Sequence, residues 1–149
     1  MGSEGRGGSQ YSRGNDRAYT SGLDGLCAHR ARRARDIGPG RAVPIRVMNE
    51  DFTLYRGESG APKVLAFRCA HRGTQLSTGW VEGEDLRCFY HGWKYDASGQ
   101  CIEQPAEPEP FCQKIRIRSY PTEEYLGLIF AYFGEGDPPP MVSFHHATT

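Results

Sequence analysis

Two short segments that each combine one cysteine with one histidine constrain this chain more than any other feature. The first runs from Cys69 to His71 and the second from Cys88 to His91, so the pattern is C-x-H, sixteen residues, then C-x-x-H. Each segment follows a predicted strand, and each is followed by a glycine, Gly73 or Gly92, that allows the backbone to turn sharply. Thiolates and imidazoles in two such loops predict a bound metal centre.

Three interpretations compete for a set of two cysteines and two histidines. In a Rieske-type [2Fe–2S] centre, two cysteines hold one iron and two histidines hold the other. Zinc fingers usually group their cysteines in one loop and their histidines in another. Here each loop is mixed, which favours a Rieske cluster bound by Cys69, His71, Cys88 and His91. Structural zinc, and a chance arrangement of buried thiols and core histidines, remain the alternatives.

The other cysteines and histidines carry no such pattern. The five cysteines are an odd number without the spacing of a secreted disulfide framework, which favours reduced thiols or metal ligands in the cytoplasm. We predict that the following residues are not ligands: Cys27, Cys101, Cys112, His29, His145 and His146.

The composition divides the chain near residue 42. The first 42 residues contain eight arginines, no lysine and nine glycines, with few large apolar side chains. Residues 1–38 are therefore predicted to form a disordered tail, in which Leu23 to Ile37 could form a short basic helix. Residues 39–140 are predicted to be the folded domain, and residues 141–149 a disordered end.

The folded domain is predicted to be all-β. Val43, Ile45 and Val47 alternate with other residues as in a strand, and a turn is expected at 49–51. Further strands are expected at 52–56, 63–67, 86–89, 93–95 and 100–103, with alternation at Ile115 and Ile117 and an apolar strand at 127–133. Many short strands without a long helix predict a small antiparallel β sandwich or barrel with two metal-binding loops.

These motifs resemble the N-terminal Rieske domain of ring-hydroxylating oxygenase large (alpha) subunits, especially the phthalate-dioxygenase-like branch. The resemblance covers about residues 39–140 and rests mainly on the segments 69–73, 88–96 and 99–108. Respiratory-type Rieske proteins have an extra cysteine in each loop, and Thr74 and Tyr90 stand at those places here. The resemblance therefore implies a Rieske fold without that disulfide.

The resemblance also implies a function, which is the transfer of single electrons to an oxygen-activating iron. In the family that iron lies in a C-terminal domain, on a two-histidine, one-carboxylate triad. The expected D/E-x₂-H-x₄-H pattern is not found in this sequence, so we assign no catalytic residue. We expect an oxygenase module whose catalytic part is lost through truncation or a frame shift, or lies on another chain. The alternatives are a free-standing Rieske ferredoxin and, as a non-redox class, a zinc-stabilised interaction domain.

The expected partners follow from that function and from the charge. A flavin- and NADH-dependent reductase would donate electrons, and a non-haem iron oxygenase domain or subunit would accept them. The formal net charge is zero, which predicts neither a nucleic-acid nor a membrane partner. Neither a secretory signal nor a long apolar run is evident, which predicts a cytoplasmic protein. Arg72 and Lys94 would place positive charge beside the ligands, as a docking face or as solvated surface.

Overall fold

The computed structural model describes residues 36–138, together with the backbone of two short strands nearer the N-terminus. Twelve strands lie within this part of the chain, and every strand pair is antiparallel. They are β1 Tyr19–Thr20, β2 Leu26–His29, β3 Ala42–Val47, β4 Glu50–Arg56, β5 Pro62–Ala66, β6 Trp80–Glu82, β7 Asp85–Arg87, β8 Lys94–Tyr95, β9 Cys101–Glu103, β10 Ser119–Tyr120, β11 Thr122–Tyr125 and β12 Leu128–Tyr132. Short 3-10 turns occupy Leu76–Thr78 and Cys112–Lys114.

The strands form three four-stranded sheets. Their orders are β1-β2-β12-β11, β10-β5-β4-β3 and β6-β7-β8-β9. The second sheet contributes to both hydrophobic cores, because neighbouring residues of its central strands point to opposite faces. On β5, Val64 belongs to one core and Leu65 to the other, and on β4 the same holds for Leu54 and Tyr55. This arrangement confirms the predicted all-β antiparallel fold.

The first core joins the second sheet to β12. Phe52 and Leu54 on β4 pack there with Ile129 and Ala131 on β12. The second core joins the same sheet to β7, β8 and β9 through Leu86, Tyr95 and Cys101, and it includes both cysteines of the predicted metal site. Cys69 and Cys88 are therefore placed by the packing of the second and third sheets.

The hairpin between β3 and β4 shows how local sequence sets the register. Met48 and Asn49 both have positive φ, 49° and 66°, and Val47 pairs with Glu50 across the turn. This is the conformation of a two-residue type I′ hairpin, which matches the twist of the flanking strands. The turn expected at 49–51 thus lies one residue earlier, and Glu50 already belongs to β4.

The N-terminal segment differs from the expectation where its backbone is described. At Leu26–His29 the chain is a strand paired with Ile129–Tyr132 of β12, and not part of the short basic helix that the composition allows. The reason is that β12, paired on one side with β11, offers its other edge for hydrogen bonds. The rest of residues 1–35 and residues 139–149 lie outside the described residues, so the predicted domain boundaries stay a prediction. Within the described part, no helix is long and apolar enough to cross a membrane.

Candidate metal centre

The first metal-site loop begins three residues after β5 ends. The Cys69 N–H donates a hydrogen bond to the Thr74 carbonyl at 2.8 Å, and the Gly73 N–H donates to the Cys69 carbonyl at 3.0 Å. Gly73 has a φ of 71°, a conformation that L side chains rarely adopt. These two bonds close a tight loop that carries Ala70 and His71.

The second loop connects β7 to β8 and repeats the same hydrogen-bond frame. The Cys88 N–H donates to the Trp93 carbonyl at 2.8 Å, and the Gly92 N–H donates to the Cys88 carbonyl at 3.1 Å. Gly92 has a φ of 76°, and a Cβ at this position would lie 2.9 Å from the Pro105 ring. The positive φ and the close approach of Pro105 therefore both favour glycine at position 92.

The structure brings the four predicted ligands together as two pairs. Cys69 and Cys88 lie together in the second core, and these residues are only 3% and 2% exposed. The rings of His71 and His91 meet edge to face, with 4.5 Å between centroids. Within the described residues, no three or more His, Cys, Asp or Glu side chains are placed to hold one metal ion. The arrangement by pairs is what a two-iron centre requires.

The local chemistry fits such a centre. The backbone N–H groups of Tyr90 and His91 act to lower the pKa of the Cys88 thiol, because nearby N–H groups stabilise a thiolate. Burial, together with the neighbouring Cys69, nevertheless raises the pKa of the Cys88 thiol. The Nδ1 atom of His71 is buried and has no hydrogen-bond partner among the described residues, a costly state that metal ligation would relieve.

Tyr95 contributes a hydrogen bond that the sequence pattern did not reveal. Its hydroxyl lies 3.1 Å from the Cys69 sulfur and accepts a hydrogen bond from the Ala70 N–H, also at 3.1 Å. Burial raises the pKa of this phenol well above its usual value, so the hydroxyl keeps its proton and can donate it to sulfur. The sequence signal that could have indicated this contact is the spacing of Trp93 and Tyr95. The two-residue period of a strand places these side chains on one face, next to the predicted ligands.

The histidine pair is covered by aromatic and acidic side chains. The indole of Trp93 stacks on the His71 ring, with 4.5 Å between centroids and an interplanar angle of 9°. The Phe111 ring in turn meets the Trp93 indole edge to face, with 5.6 Å between centroids. A carboxylate oxygen of Glu107 lies 3.6 Å from His71 Nε2. The segment after β9 therefore places both an aromatic and a negative side chain next to this histidine and its stacked indole.

Tyr95→Phe is expected to lower the midpoint potential of the cluster-loaded protein. Removing a donor to the Cys69 sulfur destabilises the reduced, more negative state. One lost hydrogen bond, at about 1 kcal/mol, corresponds to a decrease of about 40 mV for a one-electron couple. Redox titration followed by visible absorption measures the change. Tyr132→Phe is the control, because the Tyr132 hydroxyl bonds the Glu135 carbonyl and is not part of the site; an unchanged potential in Tyr95→Phe contradicts the assignment.

The remaining cysteines and histidines lie outside the pair arrangement or outside the described side chains. Cys101 is buried next to Cys112, and burial, with that neighbour, raises the pKa of the Cys101 thiol to about 12. The side chains of Cys27 and His29 are not described, and His145 and His146 lie outside the described residues. Their exclusion as ligands stays a prediction.

Lys94 fits neither of the two roles considered for it, a docking charge or solvated surface. Its side chain is only 14% exposed and forms ion pairs with Glu82, Asp85 and Glu103. Three carboxylates surround this ammonium, and although Glu82 and Glu103 also pair with Arg87, the cluster has no excess of positive charge. Arg72 is exposed in the first loop, so only this part of the expectation remains open.

The comparisons with known proteins agree with this geometry. The chain is 43% identical over 104 residues to the phenoxybenzoate dioxygenase subunit alpha of Ectopseudomonas oleovorans, a match covering 68% of this chain and 25% of the relative. The phthalate 4,5-dioxygenase oxygenase subunit of Pseudomonas putida is 38% identical over 103 residues, covering 68% and 24%. The chain thus spans about a quarter of the length of these relatives.

Solved structures show the same fold. The terminal oxygenase of carbazole 1,9a-dioxygenase from Novosphingobium sp. KA1 superposes with a TM-score of 0.66 at 27% identity. That alignment covers 73% of this chain and 30% of the oxygenase. Residues 27–121 match the family described as the Rieske [2Fe-2S] domain. The chain therefore belongs to the Rieske [2Fe–2S] domain family, and it is homologous to the N-terminal domains of oxygenase alpha subunits.

Proposed function

We propose that this domain transfers single electrons as the N-terminal module of an aromatic ring-hydroxylating oxygenase. Cys69 and Cys88 would hold one iron of the Rieske cluster, and His71 and His91 the other. The observation that carries the proposal is the arrangement by pairs, with two cysteines buried in one core and two imidazole rings in contact with each other. When bound, the cluster supplies a site that accepts and releases one electron.

The protein buries the cysteine side of the proposed cluster site and leaves the histidine side partly open to solvent. The cysteines are almost fully buried, which excludes water from the thiolate end. The histidines are partly exposed, and next to them Phe89 and Tyr90 are 52% and 59% exposed. The Tyr90 ring packs against His91 with 3.9 Å between centroids. A redox partner would therefore approach at the histidine side, where the distance through protein is shortest.

The partners we propose are a flavin- and NADH-dependent reductase as donor and a non-haem iron oxygenase domain or subunit as acceptor. The relatives that support this are oxygenase subunits, and the chain covers about a quarter of each. The free thiols among the described residues suit a reducing compartment such as the cytoplasm. We assign no catalytic residue to this chain, because the D/E-x₂-H-x₄-H pattern of the catalytic iron is not found in it.

A free-standing Rieske ferredoxin is the second candidate. The coding DNA immediately downstream distinguishes the two. A D/E-x₂-H-x₄-H pattern there, in frame or shifted, supports the oxygenase module, whereas an unrelated neighbouring gene supports the ferredoxin.

The proposed cofactor predicts a defined metal content. Protein reconstituted with iron and sulfide should contain two irons and two acid-labile sulfides per chain, and dithionite should bleach its visible absorption. Chemical analysis of iron, zinc and sulfide on the same sample measures this. Zinc without sulfide would establish the structural-zinc alternative instead, and electron transfer through this chain would then be excluded.

A further inference from the structure

An arginine precedes the cysteine of each metal-site loop, and both arginines make the same contact. Arg68 Nη1 donates to the Gly73 carbonyl at 2.8 Å, and Arg87 Nη1 donates to the Gly92 carbonyl at 2.7 Å. In each case the acceptor is the left-handed glycine four residues after the cysteine. In each loop, the arginine before the cysteine thus bonds the glycine carbonyl at the other end of the loop.

The contact completes a frame that is repeated in both loops. The cysteine N–H bonds the carbonyl five residues later, and the glycine N–H bonds the cysteine carbonyl, with nearly equal lengths in the two loops. The histidines, by contrast, occupy different places, two residues after Cys69 and three after Cys88. The repeated element is therefore the frame around the cysteine and glycine, and the arginine is part of it.

We propose that Arg68 and Arg87 are positioning residues that fix the two loops against the bound cluster, an inference that rests on the proposed function. In a trans peptide the carbonyl and the following N–H point in opposite directions. A guanidinium that holds the Gly73 or Gly92 carbonyl therefore also fixes the direction of the next N–H, that of Thr74 or Trp93. Small rotations of such N–H groups change the environment of a cluster without unfolding the protein.

The two arginines are not held equally firmly. The Arg87 side chain is 15% exposed, and besides Gly92 its guanidinium bonds Glu82 at 2.7 and 2.8 Å and Glu103 at 2.6 Å. Arg68 is exposed, and its guanidinium lies over the Phe67 ring at 5.4 Å. Glu82 and Glu103 also fix Arg87 to strands β6 and β9, whereas no carboxylate among the described residues forms an ion pair with Arg68.

This difference predicts how conservative replacements behave. A lysine can make the single bond to the Gly73 carbonyl, so Arg68→Lys should behave as the parent protein does. A lysine ammonium cannot bond two carboxylates and a carbonyl at once in the way the planar Arg87 guanidinium does. Arg87→Lys should therefore show the same cluster defects as Arg87→Met. Methionine keeps much of the aliphatic stem and removes all donors in both places.

The experiment compares the cluster-loaded parent chain with Arg68→Met, Arg68→Lys, Arg87→Met, Arg87→Lys and the control Arg116→Met. Arg116 is an exposed arginine outside both loops. Electron paramagnetic resonance of the reduced protein, the midpoint potential, and the rate of iron release to a chelator are measured, with thermal unfolding followed by circular dichroism.

We expect Arg87→Met to shift the resonance spectrum and the potential and to release iron about tenfold faster, the factor expected for one hydrogen bond to a charged group. Arg68→Met should show the same changes with release about threefold faster, and Arg68→Lys should restore parent behaviour. Lower unfolding temperatures with unchanged spectra and potentials would overturn the positioning role. If Arg87→Met does not fold, the Arg68 pair decides. A parent chain without iron and sulfide would instead contradict the proposed function.

Discussion

Replacing Cys88 with serine is expected to abolish cluster binding. A serine hydroxyl stays protonated near neutral pH and is a much weaker ligand for iron than a thiolate. Because metal binding is coupled to folding, the second core around Cys88 should also loosen. His91→Ala should have the same effect on the histidine side. The measurements are iron and sulfide per chain, visible absorption, and the unfolding temperature after reconstitution.

Cys101→Ser is the matched control for this substitution. Cys101 is also 2% exposed and belongs to the same core, so the two variants lose the same atom in similar surroundings. If Cys88 is a ligand and Cys101 is not, only Cys88→Ser loses its colour, while Cys101→Ser shows at most a modest loss of stability. Colour lost in Cys101→Ser, or kept in Cys88→Ser, would contradict the ligand assignment.

The features that could be predicted from sequence are those that depend on residues close together in the chain. The alternation of Val43, Ile45 and Val47 predicted β3, because burial on one face of a strand repeats every second residue. The mixed cysteine and histidine motifs likewise predicted the cofactor that the family match supports. Their role as ligands is consistent with their arrangement by pairs and awaits the substitutions above.

The features that were missed depend on contacts between distant segments. Strands β6, β10 and β11 are short, and their pairing partners are set by the sheet as a whole and not by their own composition. The expected strand alternation at Ile115 and Ile117 is instead the end of a 3-10 turn and one isolated bridge. Only Ile117 is well buried there.

Charge was the least predictable property. Lys94 carries a positive charge in the sequence, but strands β6, β7 and β9 place Glu82, Asp85 and Glu103 around it. Such a neutralised cluster follows from antiparallel register, which here brings Lys94 together with residues 9 to 12 positions away. The contact of Tyr95 with Cys69 has the same origin, because it crosses from β8 to a loop after β5.

Gly79→Ala is expected to destabilise the domain strongly. Gly79 has a φ of −79°, so alanine causes no backbone strain there. The added Cβ, however, would lie 1.9 Å from the Arg87 carbonyl oxygen and 3.2 Å from that of Leu76. Both are backbone atoms, which cannot rotate away as a side chain can. Relief requires β6 to move off β7, where Trp80 pairs with Arg87.

The displacement would reach the metal site directly, because Arg87 immediately precedes Cys88 and bonds the Gly92 carbonyl. We expect a loss of about 3 kcal/mol in the free energy of unfolding, at the upper end of overpacking costs, together with reduced iron content. Gly83→Asn in the same hairpin is the control: its φ of 62° suits asparagine, and no atom lies within 4 Å of a Cβ there. Denaturant unfolding and iron analysis of both variants measure the effect. Equal stability of the two variants would mean that β6 moves aside without cost, and that the Trp80–Arg87 pairing does not hold the second loop in place.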